Sequence, residues 1–157
     1  MANDWAQTRG SILIARPVDL VFGFVCDPRN DGKWLTNVGD VRCLTRGPIG
    51  AGSRFHSFPI FLGARIEVKW QVTAFEANSH IASRSVSSPI AFERTVDCET
   101  SGSGTKLSNF VRIRVPFGLP FMTRSAVDAL LGNAADRALA RLKSFLERGE
   151  AIARSGD

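Results

Sequence analysis

The fold is decided by residues 104–148, GTKLSNFVRIRVPFGLPFMTRSAVDALLGNAADRALARLKSFLER. Apolar and polar residues alternate through the first part, which predicts a strand over residues 105–115 that ends at Pro116. Apolar residues then recur at helical spacing, which predicts a helix over residues 121–148, about 40 Å long. Its apolar stripe comprises Val127, Leu130, Leu131, Ala134, Ala138, Leu142 and Phe145. A sheet with one apolar face needs a cover, and this helix is the only predicted element long enough to provide it.

The residues before this stretch predict six further strands and two short helices. Pro17 favours the start of a first short helix, which ends before Pro28, and a second turn or helix carries Trp34. The strands are predicted over residues 8–15, 38–46, 53–58, 64–75, 80–87 and 92–99. The sequence therefore predicts an α+β fold, in which a curved antiparallel sheet of about seven strands surrounds a long C-terminal helix.

Length and composition predict one domain over residues 1–150, followed by a flexible tail over residues 151–157. Eleven phenylalanines occur but no tyrosine, so no phenol can act as an acid or base. Residues 1–10 lack the apolar core of a signal peptide, and no run of about 18 apolar residues occurs. Three scattered cysteines without a C-x-x-C pair suit a reducing compartment. We therefore expect a cytoplasmic protein without stable membrane insertion.

Charge and motif content limit the partners. The net charge of +5 permits contact with nucleic acid, but the basic residues are spread along the chain, so we expect no nucleic-acid partner. We also expect no metal ion or cofactor. The two histidines have no ligand spacing, and residues 47–52 lack the G-K-[ST] ending of a phosphate loop.

Four local motifs resemble the START-like superfamily, the helix-grip fold shared by birch-pollen-allergen-like proteins and the polyketide cyclase/dehydrase group. They are residues 14–22 (IARPVDLVF), residues 27–30 (DPRN) followed by Trp34, residues 47–55 (GPIGAGSRF) and residues 104–107 (GTKL). The resemblance extends from about residue 11 to residue 148. It is specific for fold rather than function, because one fold hosts many activities.

This resemblance implies a ligand cavity between the sheet and the long helix, closed by loops at one end. Three loops would ring its mouth: residues 59–62 (PIFL), 88–90 (SPI) and 116–121 (PFGLPF). Their apolar side chains, including Phe61 and Phe117, fit either a hydrophobic gate or a surface for a partner; they could also pack into the core end. Large side chains could instead fill the cavity.

Arg94 is the polar residue that the sequence singles out. It shares a period-two row with Phe92, Val96 and Cys98, so it would place a cation in the cavity if that row faces inward. A ligand carboxylate or enolate could pair with it, an internal ion pair could satisfy it, or its side chain could extend to the solvent at the cavity rim. His56 is the only plausible proton shuttle beside it, and we take His56 and Arg94 as the candidate catalytic pair.

Other candidates have both a binding and a structural interpretation. Arg84 could pair with Glu93 or stand opposite Arg94, depending on the hairpin register. Asn109 falls on the apolar row of the last strand, where a buried amide orients a ligand or satisfies backbone. The complete set of predicted ligand contacts is Trp34, Phe61, Trp70, Arg84, Phe92, Arg94, Asn109, Phe117 and Leu130.

Three functions fit these features. The first is a binding protein for a small hydrophobic or aromatic ligand, either lipid or polyketide-like. The second is a cyclase or dehydratase that acts on such a ligand, which needs a cation for an enolate and a proton shuttle. The third is a module that binds a protein or a membrane surface through the apolar loops. A homodimer is compatible with all three.

Overall fold

The computed structural model describes residues 5–36, 38–61, 63–114 and 123–155. In chain order the elements are β1 (Trp5–Ile14), α1 (Val18–Val25), a 3₁₀ helix (Pro28–Lys33), β2 (Val41–Cys43), β3 (Arg54–Ser57), β4 (Ile60–Phe61), β5 (Ala64–Arg65), β6 (Val68–Glu76), β7 (His80–Ser87), β8 (Phe92–Ser101), β9 (Gly104–Arg114) and α2 (Arg124–Ser155). Seven strands form one antiparallel sheet in the order β1-β9-β8-β7-β6-β3-β2, and β4 pairs only with β5. The predicted α+β class, strand number and covering helix are confirmed.

The strand predicted over residues 64–75 is divided in the structure. Its first residues form β5, which turns back on β4 around Gly63, whose φ of 80° favours glycine. The remainder is β6, where an irregularity between Val72 and Ala74 shifts the alternation. Val68 and Val72 are buried on the even-numbered row, whereas Phe75 packs against the core from the odd-numbered row. Beyond this irregularity, the odd-numbered row of β6 therefore faces the core.

Helix α2 lies along the inner face of β1. Gly10 permits the close approach, because a Cβ atom there would lie 3.0 Å from Leu139 Cδ1. Two polar contacts attach the helix to the strand edge: Gln7 N donates to Asp128 Oδ1 at 2.8 Å, and Lys143 Nζ donates to the Leu13 carbonyl at 2.7 Å. At the helix start, Ala126 N donates to the Thr123 hydroxyl, which serves as its cap.

The buried stripe of α2 differs from the predicted one. Leu130 is 51% exposed and Phe145 is 39% exposed, so both lie at the margin of the contact. At about 100° per residue, Leu130 lies roughly 120° around the helix from the buried Leu142. The residues of α2 that are buried against the sheet are Val127, Ala135, Ala138, Leu139, Leu142 and Leu146. The helix also continues to Ser155, beyond its predicted end at residue 148.

Within the described ranges, buried apolar side chains form two core clusters. The larger comprises residues from α1, β1, β8, β9 and the second half of α2, with Trp34 and Phe22 among its largest members. The smaller is built from Ala6, Ile113 and Val127 near the first half of α2. The candidate functional site lies between and beside these two parts, on the same inner face of the sheet.

Candidate functional site

A cavity of about 220 Å³ lies against the inner face of the sheet, beneath the segment that follows the 3₁₀ helix. We call it the main cavity, because both Asp31 and Arg94 line it. Its wall is largely apolar and comprises Leu35, Val38, Val41, Pro59, Ile66, Val68, Trp70, Ile90, Phe92, Val111 and Ile113. Four polar side chains interrupt this wall: Asp31, Ser57, Ser83 and Arg94. Such a surface suits a mostly apolar ligand with one polar end.

A second cavity of about 260 Å³ lies between the sheet and α2, and we call it the helix-side cavity. It shares Leu35, Val38, Arg94 and Val111 with the main cavity, so the two adjoin. Alanines on the facing part of α2 leave this space open: Ala134, Ala135 and Ala138. The space between sheet and helix expected from the family resemblance is therefore present, and Arg94 stands where the two cavities meet.

Arg94 projects inward from β8, because its row includes the buried Val96 and Cys98. Its Nε donates to Asn109 Oδ1 at 3.3 Å, and its guanidinium carbon lies 4.9 Å from the centre of the Trp34 ring. The nearest carboxylate is Asp31, whose Oδ2 is 4.0 Å from Arg94 Nη1. Burial lowers the pKa of Arg94, and the Asp31 charge opposes that shift.

Asp31 is the site residue that sequence reasoning missed. It lies in the 3₁₀ helix, whose start is capped by Asp27, because Arg29 N donates to Asp27 Oδ1 at 3.0 Å. The next turn is closed by Leu35 N, which donates to the Asp31 carbonyl at 2.8 Å, and the Asp31 side chain points inward with 8% exposure. Burial raises the pKa of Asp31 to about 6, although Arg94 counteracts the shift.

Three buried atoms of this cluster have no hydrogen-bond partner among the described residues: Asp31 Oδ1, Trp34 Nε1 and Arg94 Nη2. Buried polar atoms are normally paired, and an unpaired one is unfavourable by about 1–3 kcal/mol. At 4.0 Å, the gap between Asp31 and Arg94 also exceeds hydrogen-bond length. The cluster is therefore incompletely satisfied by the protein alone.

His56 does not share the cavity with Arg94. It lies on the outer face of β3, between the inward-facing Phe55 and Ser57, and its Nε2 is 2.8 Å from Glu67 Oε1. Two residues on opposite faces of one sheet cannot act on the same bound molecule. The prediction of a catalytic pair formed by His56 and Arg94 is thus corrected by the geometry.

Arg84 and Leu130 also lie away from the cavities. Arg84 is exposed on the outer face of β7, where its register partner is Glu93, while Ser83 is the residue opposite Arg94. The alternative of two facing arginines is therefore wrong. Leu130 is exposed on α2 for the helical reason given above and contributes to neither cavity wall.

The remaining predicted ligand contacts lie in three places: on the cavity walls, in the core, and outside the described part of the chain. Trp70 and Phe92 line the main cavity, and the buried Asn109 lines the helix-side cavity. Trp34 is completely buried in the larger core, behind Arg94, so its role is packing and support of the guanidinium. The Phe61 side chain, Phe117 and the predicted loop over residues 116–121 lie outside the described part of the chain. Of the other two predicted mouth loops, Pro59 and Ile90 contribute to the main cavity.

The cysteines add no nucleophile to this site. Cys98 is buried, and burial raises the pKa of its thiol to about 12, so it remains protonated. Cys26 contributes to a small recess beside Asp31, and burial raises its thiol pKa as well. In the described ranges we find no group of three or more potential metal ligands, and no helix there is long and apolar enough to cross a membrane.

Comparison with known families agrees with the fold described above. The family model described as "Polyketide cyclase / dehydrase and lipid transport" matches residues 6–147. No curated protein sequence matches the chain.

Several solved structures resemble it at low sequence identity. A START superfamily protein from Mycobacterium smegmatis has a TM-score of 0.76 and 16% identity, over 91% of this chain and 98% of that one. The Zhui aromatase/cyclase from Streptomyces sp. R1128 has a TM-score of 0.73 and 14% identity, over 92% and 94%. Ara h 8.0201 has a TM-score of 0.65 and 8% identity, over 92% and 99%. At these identities the likeness shows a shared fold.

Proposed function

Because this chain belongs to the polyketide cyclase / dehydrase and lipid transport family, we propose that it binds a small, largely apolar ligand in the main cavity. The ligand's polar group then lies against Arg94 and Asp31, and its rings or chain lie against Trp70, Phe92 and Val111. The observation that carries this proposal is the composition of the wall: an apolar surface with one charged pair. Apolar contact provides most of the affinity, and the polar pair fixes the orientation.

The adjoining helix-side cavity supports the proposal, because it gives a larger ligand room to extend past Arg94 toward Ala134. The low polarity of both walls argues against a highly charged ligand such as a nucleotide, since burying several charges without partners is unfavourable. Lipids and polyketide-like molecules are the ligand classes that fit both the wall and the family.

The test is a pair of identical substitutions. Val111→Phe places a ring where both cavities meet, whereas Val86→Phe adds the same ring at a position on β7 that is 54% exposed. We expect native mass spectrometry, followed by organic extraction, to find a co-purifying apolar species with the wild type and with Val86→Phe. Val111→Phe should lose it. Equal retention by both variants, or an apo wild type that binds no two-ring aromatic compound in calorimetry, would contradict the proposal.

A second candidate function is catalysis of a cyclase or dehydratase type, and Asp31 is the observation that favours it. An ionised Asp31 could remove a proton from the carbon next to a ligand carbonyl, while Arg94 stabilises the resulting enolate. The protonated Asp31 could return that proton to a departing hydroxyl group, so that water leaves. A carboxyl group with a pKa of about 6 can serve in both directions near neutral pH.

This second candidate has its own test. NMR in D2O can follow hydrogen exchange at the carbon next to the carbonyl of 2-tetralone, a two-ring ketone. We expect the wild type and Glu99→Gln to accelerate exchange equally, because Glu99 lies exposed on the outer face. Asp31→Asn should return the rate to the uncatalysed value. Acceleration that survives in Asp31→Asn would exclude Asp31 as the base.

A further inference from the structure

We infer that Asp31, together with Arg94, selects ligands whose polar end is a neutral hydroxyl group rather than a carboxylate. This inference rests on the proposed function and specifies the ligand class of that same site. It differs from the hypothesis drawn from sequence, in which a ligand carboxylate or enolate pairs directly with Arg94.

The first argument is geometric. Asp31 Oδ2 and Arg94 Nη1 are 4.0 Å apart, so they attract each other without forming a hydrogen bond. One oxygen atom can lie at ordinary hydrogen-bond distance from both. To satisfy both it must donate a proton to Asp31 and accept one from Arg94. A hydroxyl group does both, whereas a carboxylate only accepts.

The second argument is the charge balance. Asp31 supplies the negative charge that Arg94 needs, so the ionised pair has no net charge for an incoming anion to neutralise. A carboxylate at the gap would lie next to the Asp31 carboxylate in a poorly solvated wall, where like charges repel strongly. An arginine without this neighbour would instead favour carboxylate ligands.

The third argument is the surroundings of Asp31, which leave Arg94 as its main counter-charge. Directly after α1, the Cys26 thiol lines a recess together with Asp31, and burial raises its pKa, so it carries no charge near neutral pH. From its own segment, Asp27 is held by Arg29 through an ion pair of 2.7 Å. The wall residues from β3, β6 and β7 that adjoin it are Ser57, Trp70 and Ser83, none of which titrates near neutral pH.

These arguments predict that pH changes the selectivity. As the pH falls through the pKa of Asp31, which burial raises to about 6, the carboxylate becomes a carboxylic acid. The site then carries the Arg94 charge alone and gains a proton donor, so a ligand carboxylate is accepted. A neutral hydroxyl ligand finds a partner in either state, and its affinity changes little.

The experiment compares 2-naphthol with 2-naphthoate, which have the same two rings and differ in the polar end. Dissociation constants are measured by calorimetry at pH 8 and pH 5 for the wild type, Asp31→Asn and Glu99→Gln. Glu99→Gln removes the same charge from a side chain that is 70% exposed on the outer face. At pH 8, the wild type should bind 2-naphthol at least about tenfold more tightly than 2-naphthoate, because a buried contact between like charges is strongly unfavourable.

Asp31→Asn should bind 2-naphthoate about tenfold more tightly than the wild type does at pH 8, with no further gain at pH 5. Glu99→Gln should match the wild type at both pH values. Equal affinity of the wild type for the two ligands at pH 8, or a preference for 2-naphthoate, would overturn the inference and leave the proposed function standing. If neither ligand binds the wild type, both fail.

If Asp31→Asn does not fold, the wild-type pH series decides the matter. The ratio of the two dissociation constants must fall by about tenfold between pH 8 and pH 5, since 2-naphthoate remains largely ionised there. A constant ratio would overturn the inference.

Discussion

The two halves of the interface between sheet and helix differ in side-chain volume. Near the second half of α2, Leu139, Leu142 and Leu146 pack against a core that holds Trp34 and other large side chains. Near the middle of α2, Ala134 and Ala135 face the same sheet and leave the helix-side cavity. We call these the filled half and the open half, and the open half includes the main cavity, which adjoins the helix-side cavity. This difference shows that one helix can cover a core and still leave a cavity, depending on the size of the side chains along its buried stripe.

The charged pair of the open half is less completely satisfied than the buried hydroxyl of the filled half, although Trp34 Nε1 in the filled half also lacks a hydrogen-bond partner among the described residues. In the filled half, the Thr105 hydroxyl is buried and donates to the Arg16 carbonyl at 2.8 Å. In the open half, Asp31 and Arg94 each retain an atom without a hydrogen-bond partner among the described residues. A satisfied polar group stabilises the fold, whereas an incompletely satisfied pair beside a cavity is suited to recognise a ligand.

The largest expected effect tests the filled half. Leu142→Ala should lower the free energy of unfolding by about 2–5 kcal/mol, because Leu142 is completely buried and its removal leaves a void. Leu130→Ala makes the same change on the same helix at a position that is 51% exposed, and it should lower stability by less than about 1 kcal/mol. Urea titrations measure both. Similar losses would mean that the buried stripe of α2 is not the one described.

The next effect concerns Asp31 in the open half. Burial raises its pKa to about 6, against an ordinary value of 3.8, so the folded protein holds this proton more tightly than the unfolded chain. The resulting stabilisation is fully present below about pH 4 and is lost as the pH rises through 6. The shift corresponds to about 3 kcal/mol. Urea titrations from pH 4 to pH 8 should therefore show wild type losing this amount relative to Asp31→Asn; parallel profiles would refute the raised pKa.

A smaller effect on stability is expected when side-chain volume is added to each half in turn. Val21→Leu enlarges a completely buried side chain in the filled half and should lower stability by about 1–3 kcal/mol through overpacking. Ala134→Leu adds more volume but extends into the helix-side cavity, so its effect on stability should lie within about 1 kcal/mol. Thermal unfolding ranks the two variants. A greater loss in Ala134→Leu would show that the cavity is not available space.

The smallest effect is expected on the outer face. His56→Ala removes the polar contact between His56 Nε2 and Glu67 Oε1, whose side chain is 61% exposed, and such exposed contacts contribute at most about 1 kcal/mol. Since His56 faces away from both cavities, affinity for 2-naphthol should remain unchanged in calorimetry. If affinity falls by more than about threefold without a loss of stability, His56 takes part in ligand binding and the assignment to the outer face is wrong.

Much of the fold could be predicted from the sequence, because alternation and helical spacing report which residues face a core. The inward position of Arg94 follows in the same way, from the apolar residues on either side of it in its row. The face of His56 could not be fixed, since Phe55 and Phe58 fall on opposite phases of a two-residue period. No sequence pattern identified Asp31 as a site residue, because a 3₁₀ helix of six residues is too short for periodicity to show which way a side chain points.

The sequence by itself determined the fold class, the covering helix and the presence of a cation on an inner row. These depend on local patterns of polarity, which the chain carries residue by residue. Only the tertiary structure decided that Asp31 meets Arg94, that Arg84 and His56 face outward, and that Ala134 borders open space. Each of these depends on the register between strands or on the rotation of a helix, which are set by packing between segments that are distant along the chain.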